Sequence, residues 1–349
     1  MRSKVYFIDF GKKGRERIYE RIAKLVKESN IPRTFKKGDI SAVKLHLGED
    51  SPFFIPPVYV REIINILDEV GAEFFLTDTT TLYVGSRRNA PSYIMRAIHN
   101  GFSAVGLPII IADGLRGQDY REVPLNGNHL NSVKIASAIY YADSILLLSH
   151  FKGHELTGYG GAIKNLGMGG IAKADKLLIH SGVHPVVIQN RCTLCGICLQ
   201  WCPENAISLE DYAVINSKRC IGCATCISVC PQNAIKVNWG DDSQLIQERV
   251  VEAALGVVKG KRLACINFLT SITPLCDCNP MQGAPICPDI GFMASFDPVA
   301  IDKASFDMVE KKTGGMMRSL RPHIDMEIQT RYAEKMGLGS ETYELIDLS

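Results

Sequence analysis

Short apolar runs alternate with amphipathic stretches along most of this 349-residue chain. The runs at residues 5–8 and 144–149 are strand-length and largely apolar, which predicts buried strands. By contrast, Ile18, Ile22 and Leu25 are spaced as on one face of a helix. Buried strands that alternate with amphipathic helices predict an α/β fold, with a mainly parallel sheet covered by helices on both faces.

The same pattern gives approximate bounds for each element. The predicted strands cover residues 5–8, 40–47, 73–77, 109–112, 144–149, 262–268 and 343–348. The predicted helices cover residues 18–26, 57–70, 91–100, 131–141, 244–258, 298–310 and 324–336. Gly71 is placed to end the second helix, and Asp297 with Pro298 to begin the sixth.

The α/β pattern breaks between residues 185 and 239 and then resumes. The simplest architecture is one discontinuous α/β domain, residues 1–184 and 240–349, with residues 185–239 inserted as a small α+β module. Three domains in series are the alternative.

The break contains eight of the twelve cysteines, in two runs with the same spacing. The runs are Cys192, Cys195, Cys198 and Cys202, followed by Pro203, and Cys220, Cys223, Cys226 and Cys230, followed by Pro231. The similarity extends to the four residues after each proline. This internal repeat resembles the bacterial two-cluster ferredoxin module.

The ferredoxin resemblance implies two 4Fe–4S clusters and a ligand set for each. In such modules the fourth cysteine of each run serves the other cluster. One cluster would use Cys192, Cys195, Cys198 and Cys230, and the other would use Cys220, Cys223, Cys226 and Cys202. Zinc is the weaker alternative, because structural zinc sites usually pair two C-x2-C knuckles.

A second candidate site lies where the predicted strands end. His46, His150 and His154 follow two of these strands, and Asp78 and Asp113 follow two others. Because ligands bind at the carboxyl ends of parallel strands, we expect a metal or acid–base site there. The alternative is that these side chains cap helices or face solvent. The glycine-rich residues 153–170, which include Lys164, predict either an anion-binding loop or a lid.

The four remaining cysteines lie between residues 265 and 287, after the cysteine repeat. Cys276, Cys278 and Cys287 occupy a Pro- and Asp-rich loop and are candidate ligands of an additional zinc, iron or iron–sulfur centre. Cys265 lies in a predicted strand, where a free cysteine is usually a small buried hydrophobic residue. The same interpretation is open for Cys287.

Several segments outside the cysteine runs strengthen the family resemblance. They are residues 149–154, 161–167, 276–278, 288–291 and 297–302. With the cysteine repeat, they resemble a prokaryotic iron–sulfur family that joins an α/β domain of unknown function to a two-cluster ferredoxin module. The resemblance covers most of the chain and implies a redox role, but it implies no substrate.

The composition argues against several classes of function. Thirty-nine basic residues against 37 acidic ones give a net charge of +2, which does not favour binding to nucleic acid or to a membrane surface. No apolar run approaches the ~20 residues of a membrane span, and no cleavage signal follows the short N-terminal run. We therefore expect a cytoplasmic protein, in which clustered cysteines indicate metal or redox chemistry.

These observations lead to one principal hypothesis and two alternatives. The principal hypothesis is an oxidoreductase component that exchanges electrons with a partner protein and passes them through two clusters to a small-molecule site near His46, His150, His154 and Lys164. The first alternative is a non-catalytic electron carrier with a docking surface. The second is a protein that assembles metals or clusters.

Overall fold

The computed structural model describes residues 2–10, 17–83, 85–181, 184–237, 242–279 and 281–349. The strands are β1 Ser3–Asp9, β2 Ile40–Lys44, β3 Glu73–Asp78, β4 Ile109–Ile111, β5 Tyr120–Pro124, β6 Ser132–Ala136, β7 Ser144–His150, β8 Lys152–His154, β9 Gly158–Gly160, β10 Val186–Val187, β11 Ile207–Leu209, β12 Ala213–Ile215, β13 Ile235–Lys236, β14 Arg262–Leu269, β15 Gly291–Ser295 and β16 Tyr343–Asp347. The helices are α1 Ile18–Glu28, α2 Pro57–Leu67, α3 Ala90–His99, α4 Ser137–Tyr141, α5 Ala162–Gly167, α6 Lys173–Ser181, α7 Ile197–Gln200, α8 Thr225–Val229, α9 Ser243–Val258, α10 Pro298–Thr313, α11 Met316–Leu320 and α12 Ile328–Lys335.

The central element is an eight-stranded sheet in the order β16-β1-β15-β14-β7-β2-β3-β4. Strand β15 runs antiparallel to both of its neighbours, and the other adjacent pairs are parallel. The predicted mainly parallel α/β sheet is therefore confirmed. The carboxyl ends of β14, β7, β2 and β3 lie side by side at one edge of the sheet.

Both faces of the sheet are buried against helices. In β7, Ile145 and Leu147 face one apolar core, whereas Leu146 and Leu148 face the other. Such alternation follows from the two-residue period of a strand, and burial on both faces explains why the strand is apolar at every one of these positions. Helices α5, α9, α10 and α12 cover the first face, and α1, α2 and α3 cover the second.

The prediction of a helix over residues 131–141 is wrong in its first half. Residues Ser132–Ala136 form strand β6, which pairs with β5, and only Ser137–Tyr141 is helical. Val133 and Ile135 are buried and alternate with more exposed neighbours, which is the two-residue period of a strand. The last predicted helix is also shorter, Ile328–Lys335, and β15 had no counterpart in the prediction.

Residues 186–236 contribute no strand to the central sheet. They form two small two-stranded sheets, β10 with β13 and β11 with β12, together with the short helices α7 and α8. Strands that precede this segment and strands that follow it share the central sheet. The predicted boundary at 239/240 lies outside the described residues.

No helix in the described ranges combines the length and the apolar character needed to cross a membrane.

The Asp302 carboxylate on α10 fixes the start of α5. It accepts hydrogen bonds from the backbone N–H groups of Ala162 at 2.7 Å and Ile163 at 2.9 Å, and from Asn267 Nδ2 at 2.8 Å. A Cβ atom on Gly161 would lie 2.2 Å from Asp302 Oδ1, so only glycine fits at this close approach. The carboxylate thus supplies the cap that the first turn of α5 lacks in its own sequence.

We predict that Asp302→Ala lowers the free energy of unfolding by about 3 kcal/mol, because it leaves three buried donors without this acceptor. Urea unfolding followed by circular dichroism measures the change. Asp307→Ala on the same helix is the control and should cost at most about 1 kcal/mol, since this partly exposed side chain pairs with Lys303 at the surface. Equal losses in the two variants would contradict the capping role.

Candidate functional site

A cavity of about 560 Å³ opens at the carboxyl edge of the sheet. Its walls come from the ends of β2, β3 and β7, from β8, α5 and α6, and from the loop after β14. This is where a parallel sheet usually binds its ligands, and the volume is typical of a small-molecule site.

Most of the residues selected from the sequence meet in this cavity. Those that line it are His46, Asp78, His150, His154, Lys164, Cys276 and Cys278. Three others lie elsewhere. Asp113 accepts hydrogen bonds from Thr80, whereas Cys265 belongs to an apolar core and Cys287 packs against the same core.

His46 is held as a buried ring at the end of β2. Its Nδ1 accepts the Gly48 N–H at 3.0 Å, and its Nε2 lies 2.6 Å from Arg87 Nη1. Burial lowers the pKa of His46 to about 3, and the adjacent Arg87 charge adds to the effect. His46 is therefore neutral at ordinary pH.

His150 lies between two acceptors at the end of β7. Its Nδ1 is 2.8 Å from Asp277 Oδ1, and its Nε2 is 2.8 Å from the Thr270 carbonyl oxygen. The ring therefore bridges the Asp277 carboxylate and the Thr270 carbonyl group. Burial acts to raise the pKa of Asp277, but the charges of His150 and Lys152 outweigh it and hold that pKa below the usual range.

His154 lines the same cavity as Cys276 and Cys278. The N–H groups of Leu156 and Thr157 donate to its Nδ1, each at 3.2 Å, and its Nε2 lies 4.0 Å from a carboxylate oxygen of Glu155. Burial lowers the pKa of His154, and the Lys164 charge lowers it further. This ring too is therefore neutral at ordinary pH.

The structure gives each of the three imidazoles a different set of protein partners. The described residues contain no group of three or more His, Cys, Asp or Glu side chains arranged to hold a single metal ion. The additional metal centre at Cys276, Cys278 and Cys287 stays a prediction.

Three cations that line the cavity, Lys44, Arg87 and Lys152, were not selected from the sequence. The buried Asp78 carboxylate pairs with Lys44 Nζ at 2.9 Å and with Arg87 Nη2 at 2.8 Å. Lys152 pairs with Asp277 at 2.9 Å. A lysine inside an apolar strand, as Lys44 is in β2, is the sequence signal that could have been used, because a buried charge needs a partner.

The charges on the cavity wall favour an anion. Among the described residues the lining cations are Lys44, Arg87, Lys152, Lys164 and Lys176, whereas the lining carboxylates are Asp78 and Glu155. Lys44, Arg87 and Lys152 are matched by the ion pairs of Asp78 and Asp277. Lys176 instead donates to neutral acceptors, the Thr79 hydroxyl at 2.5 Å and the Thr80 carbonyl oxygen at 2.6 Å.

The glycine-rich segment is ordered structure rather than a loop or lid. It contains the hairpin of β8 and β9, followed by α5, which carries Lys164.

The eight repeated cysteines line two further cavities, four in each. One is lined by Cys192, Cys195, Cys198 and Cys230. The other is lined by Cys202, Cys220, Cys223 and Cys226. Each cavity therefore combines three cysteines of one run with the last cysteine of the other. All eight are free thiols.

The backbone repeats with the same 28-residue offset as the cysteines. Left-handed residues occur at matched positions, in the pairs Leu194 and Gly222, Gly196 and Ala224, and Asn205 and Asn233. The N–H of Ala206 donates to Cys202 Sγ, and that of Ala234 donates to Cys230 Sγ, both at 3.2 Å. Burial raises the pKa of Cys198, Cys220 and Cys226.

One apolar cluster joins the large cavity to the cysteine repeat. Leu82 lines the large cavity and packs in one apolar cluster with Cys226 and Cys230. Leu177 belongs to the same cluster, and it follows Lys176 on α6. Lys173 Nζ also donates to Ser228 Oγ at 2.7 Å, so α6 contacts α8 of the cysteine repeat.

Comparison with known proteins identifies the family. The family model described as a domain of unknown function, DUF362, matches residues 42–307. The chain belongs to the DUF362 family. That match includes the cysteine repeat and strands of the central sheet on both sides of it. No curated protein matches the sequence.

Two solved structures resemble this DUF362 protein in outline. One is a structural-genomics protein from Thermotoga maritima, with 11% identity, a TM-score of 0.45, and coverage of 85% of this chain and 58% of that one. The other is a lactate racemase apoprotein from Thermoanaerobacterium thermosaccharolyticum, with 11% identity, a TM-score of 0.42, and coverage of 89% and 58%. The DUF362 chain thus spans little more than half the length of either.

We predict that Lys176 loses its proton as the pH rises through 7. Burial lowers its pKa to about 7, although Asp113 and Asp78 act in the opposite direction. In protein whose lysines carry 13C, one lysine Cε NMR resonance should titrate near pH 7. Exposed lysines titrate at about pH 10.4. The resonance should vanish in Lys176→Met and persist in Lys37→Met, which removes an exposed lysine. A Lys176 resonance that titrates only above about pH 9 would refute the prediction.

Proposed function

We propose that this DUF362 protein is an iron–sulfur oxidoreductase component, in which two 4Fe–4S clusters serve a small-molecule site in the large cavity. The observation that carries the proposal is the division of the eight repeated cysteines between two cavities. The division matches the crossed ligation that the ferredoxin resemblance implies.

The residues present fit such clusters. Each cavity offers four free thiols. Among the other described residues that line the two cavities, only Gln232 in the first and Glu204 in the second have an amide or carboxylate side chain. Backbone N–H groups already point at the sulfurs of Cys202 and Cys230, as they do around iron–sulfur clusters. Burial raises the pKa of the Cys226 thiol, so a cation is needed there to hold it as a thiolate.

The clusters would supply one-electron transfer, and side chains of the large cavity would bind and position the substrate. Leu82, which lines the large cavity, and Leu177 are buried in one apolar cluster with Cys226 and Cys230. Lys164 and Lys176 would attract an anionic substrate to the cavity, while His150 and Lys152 fix the loop that forms its far wall. An anionic small molecule is therefore the substrate class that the wall charges favour.

The cavity favours the enzyme hypothesis over the two alternatives. A carrier that only docks a partner does not need a cavity of about 560 Å³ lined by buried charges. We also propose that a separate partner protein donates electrons to the clusters or accepts electrons from them. A cytoplasmic location accords with twelve free cysteines. We also retain residues 185–239 as an inserted module, since strands on both sides of it share one sheet.

We expect anaerobically purified protein to contain about eight iron and eight acid-labile sulfide per chain, the content of two 4Fe–4S clusters. Cys226→Ala should lose about half of both, because it removes a buried ligand of one cluster. Iron and sulfide assays, with EPR of the reduced protein, measure this. Cys265→Ala is the control, since Cys265 is also buried but belongs to the apolar core of the sheet. Its iron content should be unchanged.

Zinc without labile sulfide in the wild-type protein would exclude the proposed clusters. So would an unchanged iron content in Cys226→Ala.

A further inference from the structure

Two hydrogen bonds join the α/β domain to helix α8 of the cysteine repeat. Gln118, which lies between β4 and β5, donates from Nε2 to Thr225 Oγ1. Lys173 Nζ on α6 donates to Ser228 Oγ at 2.7 Å. Thr225 and Lys173 are each 1% exposed, so both contacts are made at buried side chains. Since α8 also carries Cys226, the α/β domain is in direct contact with an element that would hold a cluster.

The Thr225 hydroxyl also contacts a cysteine sulfur. Thr225 lines the same cavity as Cys223, and its Oγ1 lies 3.2 Å from Cys223 Sγ. Because the Gln118 amide donates to this oxygen, the hydroxyl hydrogen is available for the sulfur. A Cys223 thiolate has no hydrogen to give, so Thr225 is then the donor. Gln118, Thr225 and Cys223 thus form one chain of hydrogen bonds from the α/β domain to a sulfur atom.

The internal repeat has a different side chain at this place in its other half. With the 28-residue offset, Thr225 corresponds to Ile197 and Cys223 corresponds to Cys195. The Ile197 side chain cannot donate a hydrogen bond, and Cys195 is exposed whereas Cys223 is partly buried. Backbone N–H donors to sulfur are present in both halves. The hydroxyl therefore distinguishes the second cysteine cavity, which is lined by Cys202, Cys220, Cys223 and Cys226.

A buried cation lies at the same contact between the two parts of the chain. Lys173 Nζ donates to two neutral oxygens, Ser228 Oγ and the Arg88 carbonyl oxygen, both at 2.7 Å. Burial lowers the pKa of Lys173 to about 8, although the Asp113 charge acts in the opposite direction, so this side chain is a cation at pH 7. A buried charge is stabilised by a nearby opposite charge, and a cluster held by four thiolates is an anion.

We propose that Thr225, oriented by Gln118, is a positioning residue that raises the reduction potential of a 4Fe–4S cluster in the second cysteine cavity. The inference rests on the proposed function, because it requires that cluster. Reduction by one electron places more negative charge on the cysteine sulfurs. A hydrogen bond to Cys223 Sγ therefore stabilises the reduced state more than the oxidised state, and the hydroxyl keeps its hydrogen in both. The α/β domain thereby favours reduction of the cluster that it contacts.

A redox titration of the full-length, anaerobically purified protein tests the inference. Samples are poised at a series of potentials, and the EPR signal of each sample gives the midpoint potential of each cluster. Thr225→Val keeps the shape of the side chain and removes the hydroxyl. We expect this variant to lower the equilibrium constant for reduction of one cluster about tenfold, a shift of about 59 mV for one electron. The midpoint of the other cluster should stay unchanged.

Three further variants separate the hydrogen bond from packing. Thr225→Ser retains a hydroxyl and should keep the wild-type midpoint. Gln118→Leu changes an exposed side chain and should shift the same midpoint in the same direction by a smaller factor, because Gln118 only orients the hydroxyl. Ile197→Val is the control, since it changes the counterpart of Thr225 in the other half of the repeat, and it should leave both midpoints unchanged.

Unchanged midpoints in Thr225→Val, with full iron and sulfide content, would overturn the inference and leave the proposed function intact. An equal shift in Thr225→Ser would do the same, because it would assign the effect to packing. If Thr225→Val loses iron, unchanged midpoints in Gln118→Leu would overturn the inference instead. Wild-type protein without iron and labile sulfide would overturn the inference together with the proposed function.

Discussion

Two buried carboxylates at the carboxyl edge of the sheet, Asp78 and Asp277, hold the large cavity together. Each is almost fully buried, and each is paired with two side chains from other elements: Asp78 with Lys44 and Arg87, and Asp277 with His150 and Lys152. Removing one partner of such a buried group typically costs about 3–5 kcal/mol, because the remaining charge is left without compensation. Since these partners come from β2, β7, β8 and the residues after β3, the contacts join those elements at the edge where a ligand would bind.

The sequence predicted the position of the cavity better than its chemistry. Apolar runs located the parallel strands, and the polar residues that follow them, including His46 and His150, do lie at one edge. Sequence spacing alone does not give the lateral order of strands. It therefore could not pair Lys44 with Asp78 or His150 with Asp277, because these contacts join segments that are far apart along the chain. The hairpin of β5 and β6 was missed because its apolar positions are few and lie beside a short helix.

The cysteine repeat was the most informative motif in the sequence, and the backbone explains why its spacing is strict. Leu194 and Asn205 lie in the left-handed region, as do their counterparts 28 residues later, Gly222 and Asn233. Leucine rarely adopts this conformation, so the surrounding structure must stabilise it. The turns that result bring three cysteines of one run together with the last cysteine of the other. Inserting one residue between these cysteines would displace every later thiol.

Burial alone does not determine what a cysteine does in this chain. Cys265 and Cys276 are both almost fully buried. Burial raises the pKa of Cys265 well above its usual value, because the apolar core around this thiol stabilises only the neutral form. At Cys276 the hydrogen bond from Cys278, with Lys164 and His154, outweighs the same cost of burial and reverses the direction of the shift. The difference comes from the partners that the carboxyl edge of the sheet provides.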